Sequence, residues 1–119
     1  MKAVVAETLE SLESYAFKDV DKPEPKKGQV VIRVAACGVG YVDALVALGR
    51  YQVKPPLPHT PGRELAGIVE TVGEGVTNVK PGDRVMTMAA NGFAEYALAQ
   101  AADHRQADLA SVQVAGQDQ

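Results

Sequence analysis

The sequence predicts a mainly β fold, a partly open β-barrel of short strands with one or two short helices. Three observations point to it. Residues 1 to 100 break into short runs rich in Val, Ile and alternating apolar positions, the pattern of half-buried strands. Gly and Pro clusters separate those runs at short intervals, as in sheets joined by tight turns. Only one segment carries a helical pattern with both a start and a stop signal. At 119 residues, 46% hydrophobic and 23% charged, the chain has an ordinary globular balance and the length for one core.

Residues 2 to 7 and roughly 12 to 20 are the first expected pair of strands. Lys22-Pro23-Glu24-Pro25-Lys26-Lys27-Gly28 follows as a stiff polar connection, because each proline fixes φ and removes a ladder donor. Gln29 to Ala36 is the clearest strand, a β-branched run that sets Val30, Ile32 and Val34 on one face. Asp43 to Gly49 is the helix: Asp43 caps it, Ala44-Leu45-Val46-Ala47-Leu48 fills it and Gly49 stops it. A helical turn that is apolar nearly all round must be buried, so it is expected to plug a barrel end or pack between domains. Tyr51 to Pro61 holds the prolines Pro55, Pro56, Pro58 and Pro61. It is a rigid loop of the kind that lines sites on a β scaffold.

Glu64 to Val72 is the next strand, ending at Gly73-Glu74-Gly75. Asn78-Val79-Lys80-Pro81-Gly82-Asp83 places Pro second and Gly third in a turn, which suits type II. Asp83 to Met88 and Phe93 to Leu98 are expected to form a hairpin about Asn91-Gly92, a favoured hairpin dipeptide. Residues 101 to 119 have no proline or aromatic residue and read as a disordered end in preference to a marginal helix.

Composition also excludes function classes. A net charge of −3, from 12 basic and 15 acidic residues, argues against a nucleic-acid surface. No apolar run approaches the ~18 residues that span a bilayer, and the segment from Met1 to Glu7 turns acidic too soon for a signal peptide. The single cysteine, Cys37, cannot close an internal disulfide, so a reducing cytoplasm is expected. Gly38-Val39-Gly40-Tyr41-Val42-Asp43 looks like the start of a dinucleotide fingerprint. The third glycine is replaced by Asp43, whose carboxylate would repel phosphate. That reading fails.

Four ordered motifs fit better elsewhere. Cys37-Gly38-Val39-Gly40-Tyr41-Val42-Asp43, Pro61-Gly62-Arg63-Glu64-Leu65-Ala66-Gly67-Ile68-Val69, Val79-Lys80-Pro81-Gly82-Asp83-Arg84-Val85 and Gly92-Phe93-Ala94-Glu95-Tyr96 resemble the N-terminal, GroES-like catalytic domain of medium-chain dehydrogenases/reductases. The resemblance covers about residues 1 to 100. Gly49-Arg50-Tyr51, Lys54-Pro55-Pro56-Leu57-Pro58 and Pro61-Gly62-Arg63-Glu64 are similar as a set to the zinc-independent quinone oxidoreductase branch, which includes zeta-crystallin. Zinc alcohol dehydrogenases carry a cysteine where Gly40 stands and a histidine where Arg63 stands. The resemblance therefore implies no zinc and no metal ligand here. Cys37 lies in the strand, where a buried small side chain is expected, and His59 and His104 read as surface residues.

In that branch a hydride passes from NADPH to a quinone or an α,β-unsaturated carbonyl. The resemblance implies Tyr51 and Tyr41 as catalytic candidates beside the nicotinamide and substrate cleft. It implies Gly40, Tyr41 and Arg63 as cofactor-facing candidates. Gly40 stands where many relatives have an asparagine, and Leu45 where some have a further cleft tyrosine. Arg63 either faces the cleft as a charge partner for phosphate or for Glu64, or closes a salt bridge in a turn. Tyr15 and Tyr96 are expected to pack, and Asp83 and Arg84 to tie a turn together.

In the family a nucleotide-binding Rossmann domain follows, and it is absent from these residues. The expectation is thus an N-terminal, substrate-side domain, inactive without its nucleotide-binding counterpart. The partner is then a small-molecule quinone or enone, with no nucleic acid or membrane. The rival expectation is a non-enzymatic module that self-associates or pairs with another chain through an exposed face holding Tyr41, Leu45, Leu48 and Tyr51.

Overall fold

The computed structural model describes residues 1–52, 54–101 and 113–114. Strands β1 (Lys2–Ala6) and β2 (Tyr15–Asp19) form an antiparallel pair in which Val4 faces Phe17. A second sheet combines β3 (Gln29–Cys37), β4 (Glu64–Val72), β5 (Arg84–Met88), β6 (Tyr96–Gln100) and β7 (Gln113–Val114) in the order β6-β3-β4-β5-β7. Every pairing in it is antiparallel. The free edge of β1 is stitched to loops: Val4 N–H donates to Phe93 O (2.9 Å), and Ala6 and His59 exchange both backbone bonds at 2.9 Å. The two sheets thereby enclose a partly open, mainly β barrel with one α-helix, α1 (Tyr41–Ala47).

The core follows strand alternation. Val30 and Ile32 of β3, Leu65 and Val69 of β4, Val85 of β5, and Ala97 and Ala99 of β6 share one buried cluster, with Val34 packed against it. Val31 is also fully buried, so β3 is covered on both faces at this point rather than on one. Gly67 sits between Leu65 and Val69, where a Cβ would come within 2.1 Å of Arg33 O. The missing side chain lets β3 and β4 approach where their register shifts.

Several expectations change in the structure. Leu12–Ser14 is a 3₁₀ turn, not strand, because the Ser11 hydroxyl accepts from Glu13 N–H (3.1 Å) and caps it. The helix cap lies three residues earlier than expected: Gly40 is the N-cap, and Asp43 lies in the first turn with its carboxylate accepting from Gly40 N–H (2.8 Å). An acid at the third helical position reaches back to the cap. Gly49 ends the helix as expected, at φ 70°, with Gly49 N–H on Val46 O (3.0 Å) and Arg50 N–H on Leu45 O (2.8 Å). These two bonds make a Schellman motif. The helix is not buried all round, since only Asp43 and Ala47 are fully covered and Tyr41 and Ala44 are exposed.

The expected hairpin about Asn91-Gly92 does not form. β5 and β6 lie on opposite sides of the β3–β4 pair. A type I′ turn needs positive φ at both central residues, and only Asn91 (φ 63°) has it. Gly92 and Phe93 instead donate to Gly62 O (3.1 Å) and Pro61 O (2.9 Å). The Lys80–Asp83 turn is type II as expected: Gly82 has φ 96°, and Asp83 N–H reaches Lys80 O at 3.1 Å. Asp83 ties it through bonds from Lys80 N and Nζ, both 3.0 Å, whereas Arg84 opens β5. In the tail, Gln113–Val114 pair with β5, against the disordered end expected there. The rest of that expectation, and His104, lie outside the described residues. Among the described residues no helix is long and apolar enough to cross a membrane.

Candidate functional site

Three chain segments converge at one end of the large sheet. β3 runs through Gly38-Val39-Gly40 into α1, the proline loop leads through Pro61-Gly62 into β4, and the chain leaves β5 through Ala89 to Gly92. Gly62 (φ 109°) and Gly92 meet with almost no separation: a Cβ on Gly62 would lie 2.8 Å from Gly92 Cα and from two backbone nitrogens. Cys37 closes the junction from below, with Sγ 2.7 Å from where a Gly92 Cβ would stand. Ala89 N–H donates to Arg63 O (2.9 Å) and fixes the start of β4 against the end of β5.

Over this floor lies a cavity of about 370 Å³. Asp43 and Val46 of α1 form one wall, and Pro55, Pro56 and Pro58 another. His59, Thr60 and Arg63 join Ala90 and Asn91 around the rest. Its walls are mostly apolar with a few convergent polar groups, the usual make-up of a small-molecule site. The Leu57–Pro58 peptide in the proline loop is cis.

The charges differ in their freedom. Asp43 is 6% exposed, and its carboxylate is engaged by Gly40 N–H. That bond occupies the donor that a phosphate would need at this turn. Arg63 is exposed at the cavity, and its guanidinium has no ion pair or hydrogen bond among the described residues. The salt bridge to Glu64 is therefore not formed. Burial, followed by the nearby Asp43 charge, pushes the Cys37 thiol above its ordinary value. Cys37 is half-buried at the end of β3 and is a free thiol.

His59, expected on the surface, is buried. Its Nε2 has no partner among the described residues, and its ring meets Tyr15 edge-on at 6.3 Å. Tyr15 in turn donates its hydroxyl to Ala47 O (2.9 Å), tying β2 to α1. The backbone of His59 pairs with Ala6, far away in the chain, and no local signal reports that pairing. Asp43 was legible in part: an acid three residues after a glycine marks a helix start, but not a cavity wall.

Burial pushes the His59 imidazole below its ordinary value of 6.5. The folded protein therefore keeps this group neutral while the unfolded chain protonates near that value. The stability His59 contributes is complete above the unfolded value and falls as pH drops below it. His59→Phe is expected to show a smaller loss of Tm than the parent between about pH 7.5 and pH 5.5. At neutral pH its stability should be equal or up to about 1 kcal/mol higher, because an unpaired buried acceptor is removed. Thermal melts across that range check both.

Of the sequence-derived candidates, Arg63 lines the cavity. Gly40 and Tyr41 sit at the start of α1, whose Asp43 reaches the cavity, and Tyr41 is 79% exposed. Tyr51, half-buried just past the Gly49 cap, is not among the lining residues, nor is Leu45. Tyr96 packs under Lys22, whose Nζ lies 4.0 Å from the ring centroid.

Comparison with known proteins agrees with this architecture. The family profile of the alcohol dehydrogenase GroES-like domain matches residues 26–116. The chain belongs to this family. Within the medium-chain dehydrogenase/reductase superfamily, this GroES-like domain is 54% identical over 83 residues to a quinone oxidoreductase of Sus scrofa, covering 68% of this chain and 25% of that protein. It is 49% identical over 88 residues to the quinone oxidoreductase of Homo sapiens, covering 72% and 26%. The chain thus spans about a quarter of the length of these curated relatives. Among solved structures, the human synaptic vesicle membrane protein VAT-1 homolog-like protein superposes with a TM-score of 0.86 at 33% identity, covering 99% of this chain and 35% of that one. A probable oxidoreductase from Mycobacterium abscessus gives 0.77 at 40% identity, covering 84% and 32%.

Proposed function

We propose that the chain is the N-terminal, substrate-side domain of an NADPH-dependent quinone oxidoreductase or enone reductase. The observation that carries this reading is the apolar-walled cavity at the α1 end of a GroES-like barrel whose relatives include quinone oxidoreductases. NADPH supplies the hydride when bound. The proline walls and Val46 exclude water and hold a flat ring, and positioning of this kind carries much of the rate. A quinone or conjugated carbonyl draws electrons itself, so the protein need only donate a hydrogen bond to the developing oxyanion. Tyr51 and Tyr41 remain the hydroxyl donors that the family resemblance implies, although neither lines the cavity. Gly40, Tyr41 and Arg63 border the nicotinamide, with exposed Val39 and Tyr41 (81% and 79%) as the apolar surface it would meet.

A catalytic zinc does not fit the residues present. Gly40 has no side-chain donor, Arg63 brings its own positive charge, and among the described residues no three His, Cys, Asp or Glu side chains gather. The pyrophosphate of the cofactor also lacks a cradle here, because Asp43 takes the Gly40 N–H. The 119-residue chain alone is therefore expected to bind NADPH weakly and to turn over little. A cytoplasmic, reducing compartment belongs to the same reading and rests on the free Cys37 thiol.

The test is a chimera joining this chain to the remainder of the Sus scrofa relative. NADPH-dependent quinone reduction by the chimera, with none by the chain alone, is the expected result. A folded chimera that binds NADPH but reduces no quinone overturns the reading. The exposure of Val39 and Tyr41 also favours a second reading, a non-enzymatic module that self-associates or pairs with another chain there. Light scattering that shows mass rising with concentration, together with an inactive chimera, would support it.

A further inference from the structure

We propose that Arg63 makes the cavity selective for flat acceptors that carry an anionic substituent, a carboxylate being the simplest. The substrate class deepens the proposed reductase reading and rests on it, whereas the binding preference stands on geometry alone. Arg63 is the one arginine or lysine among the residues lining the cavity. Its guanidinium has no acidic partner among the described residues, although Glu64 follows it directly in sequence. A guanidinium with no ion pair or hydrogen bond among the described residues is a planar fork matched to a carboxylate.

Asp43, the one acid among the lining residues, would repel an anion placed beside it, so the anionic group is assigned to Arg63. Asp43 is buried, and its carboxylate is turned onto Gly40 N–H at 2.8 Å. Thr60 and Asn91 add neutral polar groups, and His59 stays neutral because of its burial. The ring of a bicyclic acceptor would lie against Val46, Pro55 and Pro58, with its anionic group at Arg63. About 370 Å³ suits such a molecule and is too small for a whole dinucleotide. A nucleotide phosphate is the other anion Arg63 could meet, and the experiment separates the two.

The measurement is a titration of the 119-residue chain, followed by amide shifts, with three unreactive probes: 2-naphthoate, 2-naphthamide and nicotinamide mononucleotide. The expected result is naphthoate binding about ten-fold tighter than naphthamide at low salt, with the preference shrinking as salt is added. Arg63→Gln should abolish the preference and Arg63→Lys should retain part of it. Both variants should keep the parent Tm, since the Arg63 side chain is exposed and only its carbonyl is bonded. Equal affinity for naphthoate and naphthamide, no binding of naphthoate, or a preference that survives Arg63→Gln each overturns the proposal. So does Arg63-dependent binding of nicotinamide mononucleotide without that of naphthoate, which would assign the cation to a phosphate. The chimera assay is independent: it can fail with the naphthoate preference intact, and the preference can fail in an active chimera.

Discussion

Gly62→Ala is expected to destabilise the domain by about 3 kcal/mol or more, the sum of backbone strain and overpacking. Gly62 sits at φ 109°, a region alanine rarely adopts, and it is buried. The added methyl would stand 2.8 Å from Gly92 Cα, Gly92 N and Phe93 N. All three contacts are backbone, so no side chain can rotate away. Relief would require the segment from Ala89 to Phe93 to lift, which breaks the bonds Gly92 N–H to Gly62 O and Phe93 N–H to Pro61 O. The cavity floor would open with it. Gly75→Ala is the matched control, because Gly75 also has positive φ (82°) but nothing within 4 Å. It should cost only the strain, about 1 kcal/mol. Urea denaturation of both variants gives the comparison, and equal midpoints would show that the Gly62 junction is not tight.

Ile32→Ala is expected to cost about 4 kcal/mol, near the upper end for deleting a buried branched side chain. Ile32 is fully buried on β3, the strand held between β4 and β6. Its Cγ2 lies 2.9 Å from where a Cβ on Gly67 would stand. Strands bonded on both sides cannot close on the void, so the cavity would persist. Ile68→Ala, at a half-buried position on the neighbouring strand, should cost about 1 kcal/mol. The same denaturation series reads both, and a loss under about 1 kcal/mol for Ile32→Ala would place the core elsewhere.

Much of the fold was readable because its signals are local. The β-branched run at Val30 to Val34, the Pro81-Gly82 turn and the Gly49 helix stop each act through φ, ψ and neighbours a few residues away. The expected Asn91-Gly92 hairpin fails to form for the opposite reason. Its local chemistry allows a tight turn, but the Gly92 and Phe93 donors are taken by Pro61 and Gly62. The helix start differs from the expected one because Asp43 can cap from within the first turn as well as from the cap itself. Among the site candidates, a motif position points to Arg63, while nothing near His59 in the sequence reports its pairing with Ala6.

By itself, the sequence determined that this is a mainly β, GroES-like domain. Ordered motifs, strand runs and glycine or proline turns each restrict backbone angles without reference to distant residues. The tertiary structure alone decided the strand order β6-β3-β4-β5, the burial of His59 and the convergence of Gly62, Gly92 and Cys37 under a cavity. It also decided that Arg63 lines that cavity with no ion pair or side-chain hydrogen bond among the described residues. The physical reason is that each backbone donor must find an acceptor somewhere. Several segments can compete for the same edge, and the winner depends on packing between residues far apart in the chain.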